Sequence, residues 1–356
     1  MDTWSRARRV LCIRLDGLGD VLMTSPALRA VRSSVPGRRL TLLTSAAGAQ
    51  IGRLLPEVDE VLAYAAPWVK ASRPRLSRLD RRWIERLRRG RFEAAVIFTT
   101  FSQSPLPAAL LCYLADIPLR LAHCHENPYH LLTTWVRDPD TRRSVRHEVR
   151  RQLDLVAAVG CVTGDERLSR PELPERARRR VSARLRRLGL DECHDWVLIH
   201  PGATAASRRY GPAGFAAAAD YLVARRGWRV VFAGGSSDVE LVESIRAGMQ
   251  ASSASMAGRL DLPELLALIE RAPVLIANNS GPAHVAAALG TPVVDLYALT
   301  NPQHTPWQVA CRVLSHPVPC HGCLRSECPL GHNDCLQRVP PEAVAEAACE
   351  LLLEAG

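Results

Sequence analysis

Apolar and polar positions follow two periods along this chain, and these periods predict strands and helices in alternation. Short apolar runs are typical of strands buried in a parallel sheet, and apolar residues spaced three and four apart are typical of amphipathic helices. In the first half, the predicted strands are residues 10–15, 40–44, 60–62, 94–98 and 119–122. The helices predicted in this half are residues 21–34, 76–89, 104–114 and 146–159.

The second half repeats the alternation. Its predicted strands are residues 196–200, 229–233, 274–277 and 293–296, and its predicted helices are residues 212–226, 239–249, 263–271, 282–289 and 340–353. Strands that alternate with helices indicate an α/β protein, with helices on both faces of a parallel sheet.

A stretch rich in arginine and glutamate, residues 160–190, separates the two halves and contains Pro171 and Pro174. We place the domain boundary there. The predicted domains are residues 1–175 and residues 176–339, and residues 340–356 form a C-terminal helix. A length of 356 residues is typical of two domains.

The net charge of +10 comes from 46 basic residues, of which all but Lys70 are arginine. One interpretation is that GC-rich codon usage accounts for the excess of arginine. The other is that the positive charge serves an anionic partner, such as a nucleotide sugar, a phosphorylated acceptor or an anionic membrane face. A nucleic-acid partner is disfavoured, because only 5% of residues are aromatic and no recognition module is visible.

No targeting segment is predicted, since Arg14 and Asp16 interrupt the apolar run after Val10. No apolar run is long enough to span a membrane. We therefore expect a cytoplasmic protein, with peripheral contact at the inner membrane as an added hypothesis.

The first informative turn follows the strand at residues 10–15. Gly17 and Gly19 are expected to let the chain turn sharply, and Asp20 falls where a helix N-cap would lie. Asp20 has two interpretations, a helix cap or a carboxylate that takes a proton from an attacking hydroxyl. The turn does not fit the GxGxxG pattern, which disfavours a dinucleotide oxidoreductase.

Three polar turns follow successive strands in the second half, and strands of this kind end at one edge of their sheet. Serine hydroxyls, backbone N–H groups at a helix start and an arginine are suited to a diphosphate, and a carboxylate is suited to ribose hydroxyls. The candidate donor-binding residues are Gly202, Thr204, Arg208, Glu240, Asn279, Ser280, Gly281 and His284.

Five segments carry a family resemblance: IRLDGLGDVLMTSPALRAVR, HPGAT…SRRY, VVFAGGSSDVE, ANNSGPAHVAAALGTPVVDLY and CPLGHNDCLQRVPPEAV. With these segments the chain resembles glycosyltransferase family 9, the ADP-heptose:lipopolysaccharide heptosyltransferase family. They span nearly the whole chain in the family's order.

The resemblance implies two Rossmann-like domains that face each other across a cleft (GT-B architecture), with acceptor bound by the first and nucleotide sugar by the second. It implies an inverting transfer that needs no metal or other cofactor, from ADP-heptose to a glycolipid core or a related anionic surface glycan. The family's motif aspartate matches Asp20, which favours the catalytic interpretation of that residue as a general base.

Two positions depart from the family pattern. Arginine stands at Arg208 where lysine is common, and Asn279 stands where the family usually has aspartate. Because an amide cannot carry the charge of that aspartate, the resemblance does not by itself identify the donor sugar. An idle nucleotide-sugar-binding protein and a nucleotide-sugar epimerase or hydrolase therefore remain as alternatives.

A cysteine-rich loop, residues 320–335, precedes the last helix. Cys320, Cys323, Cys328 and Cys335 have spacings that suit a tetrahedral zinc or iron ion, which would be structural. The alternative is a reduced, metal-free loop. In the first half, His147 opens a predicted helix and is a candidate acceptor contact, together with Gly17 and Gly19.

Overall fold

The computed structural model describes residues 3–69, 76–138, 145–190, 195–300 and 302–355. Contacts between residues divide the chain into unit 1, Met1–Pro171, and unit 2, Glu172–Gly356. Each unit contains one six-stranded sheet in which every strand pairing is parallel. The predicted α/β class, with two Rossmann-like halves, is confirmed.

The strands of unit 1 are β1 (Arg9–Arg14), β2 (Arg39–Thr44), β3 (Glu60–Ala63), β4 (Ala94–Ile97), β5 (Leu119–Cys124) and β6 (Thr134–Arg137). Its helices are α1 (Leu18–Ser33), α2 (Ala46–Gly52), α3 (Arg78–Arg89), α4 (Leu106–Leu114) and α5 (Glu148–Ala157). The sheet order β3-β2-β1-β4-β5-β6 is the Rossmann order, and it reverses direction between β1 and β4.

The strands of unit 2 are β7 (Trp196–His200), β8 (Arg229–Phe232), β9 (Ala254–Ser255), β10 (Leu275–Asn278), β11 (Val293–Leu296) and β12 (Cys311–Leu314). Its helices are α6 (Glu175–Arg187), α7 (Pro212–Arg226), α8 (Val239–Ala247), α9 (Leu262–Arg271), α10 (Gly281–Leu289), α11 (Asp334–Gln337) and α12 (Pro341–Ala355). The sheet order β12-β11-β10-β7-β8-β9 repeats the Rossmann order, with its reversal between β7 and β10.

Three strands escaped the sequence prediction, and all three are edge strands. In β6 the side chains alternate between half-buried and exposed, β12 is mostly half-buried, and β9 has only two residues. Because none of them forms a fully buried apolar run, the pattern that identifies central strands is absent.

The arginine-rich segment at residues 176–187 forms α6 and is an amphipathic helix. Its apolar residues Ala177, Val181 and Leu185 are buried, while Arg178 pairs with Glu270 of α9. Ion pairs to α9 account for part of this positive charge. No helix in the described part of the chain is both long and apolar enough to cross a membrane.

Helix α2 packs so closely beneath the β1–α1 connection that its third residue, Gly48, has no room for a side chain. A Cβ atom on Gly48 would lie 2.1 Å from Thr44 Oγ1, 3.0 Å from Val21 Cγ2 and 3.3 Å from the Asp16 carbonyl oxygen. Ser45 ties the same helix to the connection by donating a hydrogen bond to the Asp16 carbonyl oxygen at 2.6 Å.

We predict that Gly48→Ala lowers the free energy of unfolding by about 1–3 kcal/mol, because the added methyl group overpacks a buried contact. Denaturant unfolding measures the change. Gly164→Ala is the matched control, since a Cβ there meets no atom within 4 Å. Equal stability of the two variants would contradict the packing argument.

Candidate active site

The centre of the site in unit 1 is the guanidinium group of Arg14, the last residue of β1. The side chain is fully buried, and three carboxylates surround it. The Arg14 nitrogens lie 2.9 Å from Asp16 Oδ2, 3.1 Å from Asp20 Oδ1 and 3.0 Å from Glu148 Oε1. Burial alone would lower the pKa of Arg14, but the three carboxylates outweigh it and raise this pKa.

Asp20 does not occupy the N-cap position that its sequence context predicts. Helix α1 begins at Leu18, so Gly17 is the N-cap and Asp20 is the third helical residue. The Asp20 Oδ2 atom accepts a hydrogen bond from the Gly17 N–H group at 3.1 Å. The carboxylate still caps the helix by reaching back, because a glycine at the N-cap has no side chain to do so.

The remaining Asp20 oxygen is held by Arg14, and about a quarter of the side chain is exposed (26%). The group is therefore fixed by two partners while one side remains accessible. A carboxylate in this state can accept a proton from a bound hydroxyl. Capping and a catalytic role are compatible in this geometry.

Gly17 and Gly19 adopt ordinary backbone conformations, which corrects the expectation that the sharp turn requires them. Gly17 has φ −80° and ψ −178°, and neither residue is among those with positive φ. The contribution of Gly17 to the site is its N–H group, which donates to Asp20.

His147 is the N-cap of α5, and its Nδ1 atom accepts a hydrogen bond from the Val149 N–H group at 3.2 Å. The residue that reaches Arg14 is its neighbour Glu148, which also accepts a hydrogen bond from Gln152 at 2.6 Å. Sequence reasoning missed Glu148, because an acidic residue in a first helical turn is usually explained by the helix dipole.

Asp16 has a second partner, Gln103, which lies in the loop after β4. Its Nε2 atom donates to Asp16 Oδ1 at 2.6 Å. Burial raises the pKa of Asp16, and the charge of Arg14 only partly offsets this effect. The site therefore combines residues from the ends of β1 and β4, where the strand order reverses and where ligands of this fold bind.

In unit 2, the predicted turns after β7 and β10 are joined by Asn278. Its amide nitrogen donates to the Pro201 carbonyl oxygen at 2.6 Å, and its amide oxygen accepts from the Tyr210 N–H group at 3.0 Å. These bonds bring the segment 201–210 against the start of α10. Because β7 and β10 are neighbouring parallel strands, Gly202, Thr204 and Arg208 follow β7 at the same edge of the sheet at which Ser280 and Gly281 follow β10.

Gly202 has a steric reason to be glycine. A Cβ at this position would lie 2.6 Å from the Asp238 carboxylate, which accepts a hydrogen bond from Gly235 N–H at 2.9 Å. Thr204 is exposed at the same turn, and Glu240 is exposed at the start of α8, beside the end of β8.

Arg208 ends a 3₁₀ turn, Ala206–Arg208, and is half-buried. Its guanidinium forms no ion pair with any of the described residues. At the start of α10, Ser280 is the N-cap, and its Oγ atom is buried without a hydrogen-bond partner in the described chain. A half-buried cation, an unpartnered hydroxyl and a helix N-terminus, all following neighbouring parallel strands, are suited to an anionic ligand such as a diphosphate.

His284 is buried in the first turns of α10, and Asn279 is buried at the end of β10. The Asn279 Nδ2 atom lies 3.3 Å from Asp295 Oδ2 and 2.9 Å from the His304 carbonyl oxygen, and it donates to both. Asp295, in the middle of β11, escaped sequence reasoning because it interrupts an otherwise apolar strand by a single residue.

The four cysteines of the loop at residues 320–335 line one cavity of about 20 Å³. A cavity of this volume has room for one species of about the size of a water molecule. Backbone N–H groups, with that of Asn333 first, lower the pKa of Cys328, whereas burial raises the pKa of Cys335. Among the described residues, no three His, Cys, Asp or Glu side chains converge closely enough to hold a metal ion.

Burial raises the pKa of Asp295 to about 7, although its hydrogen bond from Asn279 and the charge of Arg208 act in the opposite direction. An unfolded aspartate titrates near about 4. Between these values, the folded protein retains a proton that the unfolded chain has released, so Asp295 makes the protein less stable as the pH rises.

We therefore predict that Asp295→Asn removes the decrease in stability with rising pH that Asp295 causes. Relative to wild type, the free energy of unfolding of the variant should rise steadily between about pH 4 and pH 7. Denaturant unfolding of both proteins across this range measures the difference. A constant difference at every pH would show that Asp295 does not titrate in this window.

The chain is similar in sequence to a known protein family. Residues 81–333, more than half of the chain, match the family model for glycosyltransferase family 9 (heptosyltransferase). Lipopolysaccharide heptosyltransferase 2 of Salmonella typhimurium is 26% identical over 363 aligned residues, which cover 98% of this chain and 99% of the relative.

Two solved structures have the same fold. A glycosyltransferase family 9 protein from Veillonella parvula has a TM-score of 0.79 at 24% identity, covering 98% of this chain and 97% of its own. ADP-heptose lps heptosyltransferase II of E. coli has a TM-score of 0.76 at 23% identity, covering 98% and 99%. The family match shows that the chain belongs to glycosyltransferase family 9, the heptosyltransferase family, and is a glycosyltransferase.

Proposed function

We propose that this enzyme transfers heptose from ADP-heptose to the core of a lipopolysaccharide or to a related anionic surface glycan. We propose further that the transfer inverts the anomeric carbon and uses no metal ion. The names of the relatives support the donor and acceptor classes. The observation that carries the proposal is the partly exposed Asp20 carboxylate, held by Arg14 at the reversal point of a Rossmann sheet.

In this mechanism, unit 1 binds the acceptor and Asp20 is the general base. An acceptor hydroxyl oxygen attacks the anomeric carbon as its proton passes to the solvent-exposed side of the Asp20 carboxylate. Arg14 and the Gly17 N–H group fix the carboxylate so that only a small reorganisation accompanies the transfer. His147, next to Glu148, lies beside this cluster and is a candidate contact for the acceptor.

Unit 2 binds the nucleotide sugar and stabilises the leaving group. As the bond between the anomeric carbon and the diphosphate oxygen breaks, its electron pair remains on the diphosphate. Arg208, the Ser280 hydroxyl and the N–H groups at the start of α10 are the donors in place to receive that charge. Thr204 and Glu240 are exposed for the hydroxyls of the nucleotide or sugar.

We also place this reaction at the cytoplasmic face of the inner membrane, where the protein contacts the membrane peripherally through its anionic glycolipid acceptor. The positive net charge supports attraction to such an acceptor.

Asp20→Asn should reduce turnover about 10²–10⁴-fold, because the amide retains a hydrogen-bond acceptor for Gly17 but cannot take a proton. ADP release from ADP-heptose, with and without a truncated core acceptor, measures turnover, and calorimetry with ADP-heptose measures donor binding. We expect donor affinity to remain near that of wild type. The melting temperature should fall, but the protein should remain folded, because Asp16 and Glu148 still surround the buried Arg14.

The matched control is Asp261→Asn, which alters a carboxylate that caps α9 by accepting from the Glu264 N–H group at 2.9 Å. It should retain turnover. If Asp20→Asn turned over like wild type, or lost only stability, Asp20 would be a helix cap and nothing more. ADP release without acceptor would instead identify a hydrolase.

The cysteine-rich loop supports a second proposal, a structural zinc or iron ion. Its four thiols already line one small cavity, and thiolates are preferred ligands of both metals. Small side-chain rotations would have to bring Cys320, Cys323, Cys328 and Cys335 onto a common point. The loop is fastened beside Arg208, because Ser207 donates to the carbonyl oxygens of Arg325 and Ser326.

If the loop binds metal, protein purified without a His-tag should contain about one equivalent of zinc or iron, and Cys323→Ser should contain much less. Elemental analysis measures the metal, and the melting temperature should fall with its loss. Cys112→Ser, at a buried cysteine of unit 1, is the control. Less than about a tenth of an equivalent in wild type would refute this proposal.

A further inference from the structure

Asp295 is an unusual residue for its place in the fold. It lies in the middle of β11, in register with Ala277 of β10 and Val313 of β12, and it has no exposed surface. Its Oδ2 atom accepts from Asn279 at 3.3 Å, whereas its Oδ1 atom is buried without a partner in the described residues. It forms no ion pair with them either.

An arrangement of this kind destabilises a sheet. A buried carboxyl with one oxygen unpartnered loses hydration that a single long hydrogen bond does not replace. An apolar side chain would fill the same position at lower free energy, so packing alone does not account for Asp295. The side-chain partner of Asp295, which is Asn279, indicates the role of this carboxyl group.

The orientation of the Asn279 amide is determined by its surroundings. Two acceptors, Asp295 Oδ2 and the His304 carbonyl oxygen, face the same side-chain atom, which must therefore be the Nδ2 nitrogen. The Asn279 Oδ1 atom accepts no hydrogen bond from the described residues. Because the amide nitrogen is turned toward Asp295 and His304, this oxygen, a neutral acceptor, is directed away from both of them.

Groups that suit the other parts of a nucleotide sugar lie on the same edge of unit 2. Ser280, next to Asn279, has an unpartnered hydroxyl, and Arg208 has no ion pair among the described residues. These groups donate hydrogen bonds, as phosphate oxygens require. The Asn279 Oδ1 atom only accepts, so it does not suit a phosphate and instead suits a hydroxyl.

We propose that Asp295 is a positioning residue, which holds Asn279 so that its Oδ1 atom accepts a hydrogen bond from a hydroxyl of the nucleotide-sugar donor. This inference rests on the proposed function, in that unit 2 binds the nucleotide sugar.

The experiment is a double-mutant cycle followed by calorimetry with ADP and with ADP-heptose. Asp295→Asn has nearly the same shape but replaces one of the two acceptors that orient Asn279 with an amide, which can present either end to it. We expect it to weaken binding about tenfold, close to the value of one hydrogen bond. In the Asn279→Ala background, the same change should have no further effect, because Asp295 acts only through Asn279.

Two ligands distinguish the source of the hydroxyl. Weaker binding of ADP as well as ADP-heptose would assign it to the ribose, and weaker binding of ADP-heptose alone would assign it to the sugar. Either result supports the proposal. Glu264→Gln, at another buried carboxyl of unit 2, is the control and should bind both ligands like wild type.

The proposal is overturned if Asp295→Asn binds both ligands like wild type, or if it weakens binding equally with and without Asn279. Wild type that binds neither ligand would refute the proposed function as well. A second test does not need any Asp295 variant to fold. Fluorine in place of the contacted hydroxyl cannot donate, so it should weaken binding to wild type but not to Asn279→Ala, and an equal loss in both would also refute the contact.

Discussion

A buried guanidinium group organises the reactive end of unit 1. Arg14 carries a full charge at a position with no access to water, and such a charge is tolerated only when opposite charges surround it. The three carboxylates that do so come from the β1–α1 connection, from α1 and from α5. The same ion pairs therefore hold α1 and α5 against the end of β1 and fix the direction of Asp20.

Unit 2 has the opposite electrostatic arrangement on the same architecture. One of its buried carboxyls, Asp295, accepts from an amide and forms no ion pair with the described residues, and Arg208 is likewise without an ion pair among them. In unit 1 the arginine is therefore paired with carboxylates of the same unit, and one carboxylate is partly exposed. In unit 2 it is an arginine that remains without an ion pair among the described residues. Proton acceptance and stabilisation of a departing diphosphate require these two signs of charge.

The two units also share a local hydrogen-bonding motif. In each, a glycine that follows a strand donates its N–H group to an aspartate three residues later, Gly17 to Asp20 and Gly235 to Asp238. What differs is the second partner of the aspartate. Arg14 holds Asp20, whereas Asp238 fills the space beside Gly202. The same capping turn therefore gives one carboxylate a possible role in catalysis and the other a role in packing.

Local apolar periodicity and short motifs were sufficient to predict the fold class, the central strands and the family. They could not reveal β6, β9 and β12, whose side chains are partly exposed and follow no buried run. The place of Asp20 within helix α1, and the contacts between polar groups, became known only from the three-dimensional arrangement of strands and helices. Glu148 lies 134 residues from Arg14, and Asp295 lies 16 residues from Asn279 on another strand. Such contacts depend on strand order and on the burial of charge, neither of which a local pattern contains.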